Sequence, residues 1–414
     1  MDFNDTPDEA RLRASIRSWL AANGQQFMPP MGASEAQVHS IARLWQAACA
    51  DAGFAGFGLP AQIGGRPGPL IEQAIFQQET ASHPMARAEI MTLGCGMALP
   101  TVQKHGNPEH LVSLGRPTIR GEVIWCQLFS EPGAGSDLAG IRTSAVRAGD
   151  DWIVNGQKVW TSGAFYADWG LLLTRSNPAK PKHAGLTYFL VDMHTAGVVV
   201  RPLKQLSGRS EFNEVFFTDV RIPDQQRLGE IDGGWKVAMT TLSNERLALT
   251  GDAAVGRNLV APLLRLAQRT PRIDGQPLLQ DSAFRERLAT YYATVAGIDH
   301  IGHRTLTALS RGENPGPEAT LGKMTLTRLL QSMAEFGMDL AGVAGQVVDA
   351  ASDPDLFEIQ QGFLLAPGYR MGGGTEEIGK NIIAERVLGL PAEARPDKDM
   401  PFNQLGSKTA LPNR

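Results

Sequence analysis

Near Gly121 the apolar pattern of the chain changes from a helical period to a strand period, and near Gly229 it changes back. This double switch restricts the fold more than any other feature. Residues up to about 118 read as helical. Thr6-Pro7-Asp8-Glu9 offers an N-cap, Pro at the first helical position and acids for the dipole, and Ala10, Leu12, Ile16, Trp19 and Leu20 follow at helical spacing. A second helix is expected from about Ser34 to Ala52 and a third from Leu70 to Ala81, with Ala86 to Lys104 helix-like but interrupted at Gly94 and Gly96.

Beyond Gly121 the expected strands are short. Val123–Phe129 is apolar and ends at Pro and Gly, and further runs cover Trp169–Thr174, Leu186–Val191, Val198–Leu203 and Val215–Val220. Asn155-Gly156, between Trp152-Ile-Val154 and Gln157-Lys-Val-Trp160, predicts a hairpin, and Ser176–His183 an exposed loop. Together these runs predict a small antiparallel sheet or barrel. Helix returns as one long pattern from Trp235 to about Gln268, then over Asp281–Ser310, Pro317–Val348 and Thr375–Leu388, suggesting an antiparallel bundle. The expected class is α+β, divided at 1–120, 121–228 and 229–414.

The 414 residues, 43% hydrophobic and 20% charged, suffice for a large core. A net charge of −4 gives no electrostatic case for nucleic acid or an anionic membrane, so an anionic ligand would need a local basic pocket. Cys49, Cys95 and Cys126 are far apart, without metal or redox spacing, and fit a reducing compartment. The acidic N-terminus lacks the apolar run of a signal peptide, and no stretch approaches the ~20 apolar residues that span a bilayer. The expected location is cytoplasmic. His300 and His303 lack the spacing of a helical zinc site, and no metal is expected.

Three blocks carry the chemistry. The first is Gln127-Leu-Phe-Ser-Glu-Pro-Gly-Ala-Gly-Ser-Asp137, whose Gly133 and Gly135 let the backbone approach a bound molecule but do not form a dinucleotide fingerprint. The second is Gln157-Lys-Val-Trp160-Thr-Ser162-Gly, in which Trp160 by itself reads as a sheet-face core aromatic and Ser162 as a turn hydroxyl. The third runs from Met371-Gly-Gly-Gly-Thr375-Glu-Glu377 to Leu390-Pro. Gly374 to Lys380 nearly spells a phosphate loop, but Asn381 replaces the magnesium-holding hydroxyl and two carboxylates would repel phosphate. A capped helix start at Thr375, with Glu376 and Glu377 in its first turn, accounts for it better.

The three blocks, in a helical–β–helical order, resemble the acyl-CoA dehydrogenase family over nearly the whole chain. The resemblance implies a helical N-terminal domain, a middle antiparallel β-barrel or sheet, and a C-terminal four-helix bundle. It places Gln127, Phe129 and Ser130 along the pyrimidine side of a flavin, Trp160 against the isoalloxazine and Ser162 toward flavin N5. It also implies Ser136 near the pantetheine of a CoA ester, Thr375 and Glu377 near the adenylate of FAD, and Arg272 reaching a neighbouring subunit's flavin pyrophosphate.

One departure is informative. Many members carry the catalytic glutamate immediately before the Gly-Thr pair, where this chain has Gly373. A smaller group places the base on a helix directly before an arginine, and Leu242-Ser-Asn-Glu245-Arg246-Leu matches that arrangement. Glu245 shares a helical face with Leu242 and Leu249, which read as buried. The resemblance therefore implies Glu245 as the base, Arg246 as a structural or CoA-proximal cation, and the Gly373 amide as a donor to the thioester oxygen. A C–H beside a thioester carbonyl is a weak acid, so such donors must stabilise the developing enolate, while the flavin carries the redox step.

The implied reaction is α,β-dehydrogenation of an acyl-CoA to the trans-2-enoyl-CoA, with electrons passed to an electron-transfer flavoprotein. The triple-glycine variant also resembles bacterial enzymes acting on bulky groups such as steroid side chains, some of them α2β2 heterotetramers of related chains rather than homotetramers. The rival expectations are an acyl-CoA oxidase, in which oxygen reoxidises the flavin, and a subunit that completes a partner's site.

Overall fold

A computed structural model describes residues 5–30, 32–87, 89–249, 253–272, 274–311, 316–317, 320–348, 352–395 and 397–405. It divides into two compact units. The first comprises Met1–Gln205, Arg209–Ala248 and Glu393–Arg414, the second Leu206–Gly208 and Leu249–Ala392.

In the first unit the helices are α1 (Pro7–Asn23), α2 (Glu35–Asp51), α3 (Ile71–Thr80), α4 (Glu89–Leu93), α5 (Leu99–His105), α6 (Pro108–Ile119) and α7 (Gly234–Leu249). Their starts follow from local chemistry. Thr6 accepts from the amide of Glu9 at 3.3 Å while the Glu9 carboxylate accepts from the amide of Thr6 at 2.7 Å, and Ser34 and Gln37 form the same reciprocal cap on α2. The glycines expected to interrupt the fourth helical stretch do not break it. They form a wider π-helical turn, Gly94–Ala98, joining α4 to α5. A Cβ on Gly94 would stand 2.7 Å from Thr118 Cγ2 and 3.1 Å from Trp125 Cδ1, so glycine here lets the helix close on the first strand.

The strands are β1 (Trp125–Leu128), β2 (Ser144–Ala148), β3 (Asp151–Ser162), β4 (Trp169–Arg175), β5 (Leu186–Asp192), β6 (Val198–Pro202), β7 (Phe212–Pro223) and β8 (Arg227–Leu228). They form one sheet in the order β6-β7-β3-β2-β4-β5-β8, with β1 beside β4. Pairing is antiparallel except between β1 and β4 and at the single Ser144–Arg175 pair. β4 and β5 are buried almost throughout, which is why they read as unbroken apolar runs. Ile16, Trp45, Leu99 and Ile119 of the helices share one core with Leu128, Val154, Leu172 and Phe189 of the sheet.

The expected Asn155-Gly156 hairpin is absent. β3 continues through it to Ser162 along β7, with a register shift between Val154 and Gly156. Asn155 Oδ1 accepts from the amide of Asp219 at 2.8 Å, and a Cβ at Gly156, where φ is 152°, would lie 2.6 Å from the Thr143 backbone. Tertiary contacts thus turn a hairpin signal into a β-bulge. The real turn, at Gly149 with φ 69°, joins β2 to β3.

The second unit contains α8 (Ala253–Arg269), α9 (Ser282–Ser310), α10 (Thr320–Ala341), α11 (Pro354–Met371) and α12 (Glu376–Arg386). The pattern expected as one helix from Trp235 to Gln268 is described as α7 and α8. Residues 250–252, with Gly251, lie outside the described residues, whereas Gly256 lies within α8. α8 to α11 surround a core of Leu263, Leu266, Tyr291, Val295, Leu330, Met333 and Ile359. Gly337 lets α10 and α11 approach closely, because a Cβ there would meet Ile359 Cγ2 at 2.6 Å. Sequence reasoning missed α11, whose Pro354 starts the helix while Pro367 lies inside it. Among the described residues no helix is long and apolar enough to cross a membrane.

Candidate active site

β1 delivers the first block. Leu128 and Phe129 are buried, with the Phe129 ring edge-on to Tyr188 at 5.7 Å, while Gln127 and Ser130 are half-buried. Glu131 and Ala134 exchange backbone hydrogen bonds at 3.0 Å and close a tight turn. Gly133 within the turn and Gly135 and Ser136 beyond it lie exposed, and a Cβ on either glycine would meet nothing within 4 Å. The surface beside Ser136 is therefore open to a ligand.

A buried ion pair holds this loop against β3. Lys158 is fully buried and donates to the Glu131 carboxylate at 2.8 Å and to the Phe129 carbonyl at 2.9 Å. Glu131 also accepts from the amides of Arg142 at 2.6 Å and Thr143 at 2.9 Å. Burial lowers the Lys158 ammonium to about 8, against the opposing attraction of Glu131. Burial raises the Glu131 carboxyl, but the Lys158 charge and the hydrogen bonds outweigh it and hold the group below its ordinary range.

On the same strand the amide of Val159 donates to the Ser130 carbonyl at 2.9 Å, so the first two blocks meet. The β3–β7 register slips again between Lys158 and Thr161, and within that slip Trp160 takes the left-handed value φ 60°. Its side chain is 61% exposed and stands edge-on to Phe212 at 5.9 Å. Trp160 is therefore not the core aromatic that strand alternation suggests: the bulge turns it outward. Such a conformation costs on the order of 1–3 kcal/mol in a non-glycine residue, and such strain clusters at functional sites. Thr161 beside it is buried, and its hydroxyl has no partner among the described residues. Ser162, half-buried, pairs across with Phe212.

Glu245 lies half-buried on α7 in the same unit. One helical turn earlier, Thr241 is buried and bonded to Tyr188 Oη at 3.0 Å and to Thr101 Oγ1 at 3.1 Å. His105 Nε2 meets Thr240 Oγ1 at 2.8 Å. These contacts fix the rotation of α7 and hence the face that carries Glu245. Leu242, expected to be buried, is half-buried against the core formed by Val237, Ala238 and Leu228, whereas the side chains of Arg246 and Leu249 lie outside the described residues.

The third block belongs to the second unit. Gly373 and Gly374 have φ of 63° and 95°, and Thr375 caps α12 by accepting from the amide of Ile378 at 3.3 Å. Glu377 is exposed. Glu376 instead turns inward to Arg328, to Lys380 at 3.0 Å and to Arg370 at 2.5 Å, whose hydrogen bonds hold its carboxyl well below the usual range. Lys323 donates to the Gly374 carbonyl at 2.5 Å and braces the glycine turn from the other side. Arg272, also in this unit, ion-pairs with Asp281 at 2.8 Å and Asp274 at 3.3 Å.

Family models for acyl-CoA dehydrogenase N-terminal, middle and C-terminal domains match residues 6–122, 126–220 and 232–388. Acyl-CoA dehydrogenase IpdE1 of Mycobacterium tuberculosis is 35% identical over 94% of this chain and 99% of its own length. This chain belongs to the acyl-CoA dehydrogenase family. Acyl-CoA dehydrogenase FadE34 of the same organism is 39% identical over 92% of this chain, which spans about half, 52%, of FadE34. Among solved structures, the ChsE4-ChsE5 complex from Mycobacterium tuberculosis matches with TM-score 0.81 and 29% identity, covering 95% of this chain and all of that one. A steroid ACAD, Tcur3481-Tcur3483, matches with TM-score 0.79 and 25% identity over 95% of this chain and 100% of its own.

As a member of this flavin-dependent oxidoreductase family the chain should offer a flat aromatic ligand somewhere to lie. The outward Trp160 ring, the open loop at Gly133–Ser136 and the unpartnered Thr161 hydroxyl fit such a group on the first unit. On the second, the capped start of α12 and the turn at Gly373 and Gly374 present backbone that suits a polar ligand. Sequence reasoning overlooked Lys158 and Glu131, although both stand inside the quoted blocks. A signal existed: Lys158 has the strand parity of the buried Trp152 and Val154.

Proposed function

We propose that the chain is an FAD-dependent acyl-CoA dehydrogenase in which Glu245 is the base. The observation that carries this reading is the outward Trp160, held at a strained bulge next to the stapled Ser130 loop in a chain of this family. Trp160, Ser162, Gln127, Phe129 and Ser130 would hold the flavin ring, Thr375 and Glu377 the adenylate portion of FAD, and Arg272 would reach the flavin pyrophosphate of a neighbouring subunit. Ser136 and Arg246 would contact the CoA ester. Glu245 removes the proton α to the thioester carbonyl, and the Gly373 amide donates to the carbonyl oxygen as charge develops there. When bound, FAD supplies the acceptor for the β-hydrogen, which leaves with its electron pair to give the trans-2-enoyl-CoA. An electron-transfer flavoprotein would then take up the electrons.

The steroid designation of Tcur3481-Tcur3483 supports a bulky or steroid side-chain acyl group as the substrate. The paired names of that protein and of ChsE4-ChsE5 support an α2β2 assembly with a related chain over a homotetramer. The test is anaerobic bleaching of the flavin by straight-chain, branched and steroid side-chain acyl-CoAs, with the enoyl product identified by mass. Absence of bleaching by any thioester would sink the proposal. Rapid peroxide release on re-aeration would replace the flavoprotein acceptor with oxygen, and native mass measurement separates the two assemblies.

A further inference from the structure

Arg175, at the end of β4, is only 4% exposed, and its hydrogen bonds among the described residues go to backbone carbonyls: Ala139 at 2.5 Å, Lys182 at 2.7 Å and Ile141 at 3.4 Å. The ring of Phe402 covers its guanidinium at 4.0 Å and stands 5.6 Å from that of Arg142. A buried cation bonded to neutral carbonyls gains from an aromatic face, and the attraction strengthens as water is excluded. Nearby, Lys182 is 17% exposed and bridges Asp137, at 3.0 Å, to Asp397, at 3.7 Å.

Phe402 and Asp397 belong to one late segment, residues 397–405, that lies on the sheet unit. Backbone bonds set its register: the Phe402 amide donates to Lys180 and the Asn403 amide to Pro178, both at 2.9 Å, and Pro401 bridges to Pro181. The Ser176–His183 stretch, expected as an exposed loop, is thus partly covered. Through Arg175 the segment bears on Ala139 and Ile141, and through Lys182 on Asp137. All three lie just downstream of Ser136, whose upstream side is fixed by Glu131 and Lys158. The Gly133–Ser136 span, exposed except at the buried Ala134, therefore lies between two anchors, and the late segment braces the downstream one alongside the bonds of Glu131 to the Arg142 and Thr143 amides.

We propose that residues 397–405 form a positioning strap that sets the loop carrying Ser136, with Phe402 acting through Arg175 and Asp397 through Lys182. The role in substrate binding rests on the reading of Ser136 as a contact to the thioester's pantetheine arm. A strap of this kind sets affinity for the CoA ester and leaves the proton and hydride transfers alone, because Phe402 and Asp397 act on residues 137–141 through Arg175 and Lys182.

The test uses the flavin-loaded full chain with Phe402→Ala, Phe402→Trp and Asp397→Asn. In Phe402→Ala, amide exchange over residues 133–141, measured without thioester, is expected to rise about five-fold or more, the loss of one partly buried cation–π contact. With the acyl-CoA that bleaches the wild type fastest, KM should rise by a similar factor while kcat stays within about two-fold. Phe402→Trp, which keeps an aromatic face, should restore both, and Asp397→Asn should show a smaller effect confined to the same amides. Unchanged exchange over 133–141 in folded Phe402→Ala overturns the proposal, as does a fall in kcat at constant KM. If no thioester bleaches the wild type, the dehydrogenase reading fails, and the exchange measurement still decides for or against the strap.

Discussion

The Lys158 ammonium and the Glu131 carboxylate meet at 2.8 Å inside the sheet unit, with Lys158 wholly shielded from solvent. One contact thereby joins the strand that presents Trp160 to the loop that presents Ser130 and Ser136. Taking two charges out of water is costly, so the pair is poor evidence of added stability. It is good evidence of a fixed geometry, because neither partner tolerates loss of the other.

Removing Lys158 alone should therefore be severe. Lys158→Met leaves Glu131 buried without its cation and is expected to cost about 3–5 kcal/mol in urea denaturation. The double variant Lys158→Met, Glu131→Leu should be clearly more stable than the sum of the single changes. Additive losses would mean that the two groups do not act as a pair.

Glu245→Gln keeps the shape of the side chain and removes the base. The rate of substrate-dependent flavin bleaching should fall at least about 10²–10⁴-fold, the usual contribution of a general base, with the resting flavin spectrum and thioester affinity little changed. Bleaching at the wild-type rate would show that the base lies elsewhere.

Local chemistry was legible along much of the chain. Thr6 and Ser34 announce helices because capping is a matter of four consecutive residues, and β4 and β5 announce themselves by unbroken apolarity. What escaped depends on distant partners. Asn155-Gly156 became a bulge because Thr143 packs closely on Gly156 and the Asp219 amide bonds to Asn155, and Trp160 left its strand parity at a second slip. α11 was hidden by its prolines. The three blocks of the candidate site could be found by resemblance, but the pairing of Lys158 with Glu131 and the cover of Phe402 over Arg175 are contacts between distant residues, and strand parity signals only that Lys158 is buried.

The left-handed backbone at Trp160 makes an unusual prediction. At most strand positions Ala is more stable than Gly by roughly 0.5–1 kcal/mol. At φ 60° the order should reverse, with Trp160→Gly more stable than Trp160→Ala by about 1 kcal/mol, because both lose the ring and only one keeps a Cβ. Both should bind flavin weakly. If the alanine variant is the more stable, the bulge does not impose the conformation.

Asp224 supplies a pH dependence of known sign. Arg227 bonds its carboxylate at 2.9 and 3.1 Å and the Trp152 indole donates to it at 2.7 Å, holding the group at about 2 against an ordinary 3.8. Because the folded value is depressed, the stabilisation is complete above the unfolded value and is lost as pH falls toward 2. Its size is about 2 kcal/mol, from roughly 1.4 kcal/mol per unit with a discount for partial exposure. Asp224→Asn should therefore be less stable than wild type by about 2 kcal/mol near neutral pH. That gap, followed by urea midpoints, should narrow by about half at roughly pH 3, where the unfolded carboxyl is mostly protonated and the folded one is not. A gap that stays constant across that range would assign the loss to the indole hydrogen bond or to packing, and not to the ionised carboxylate.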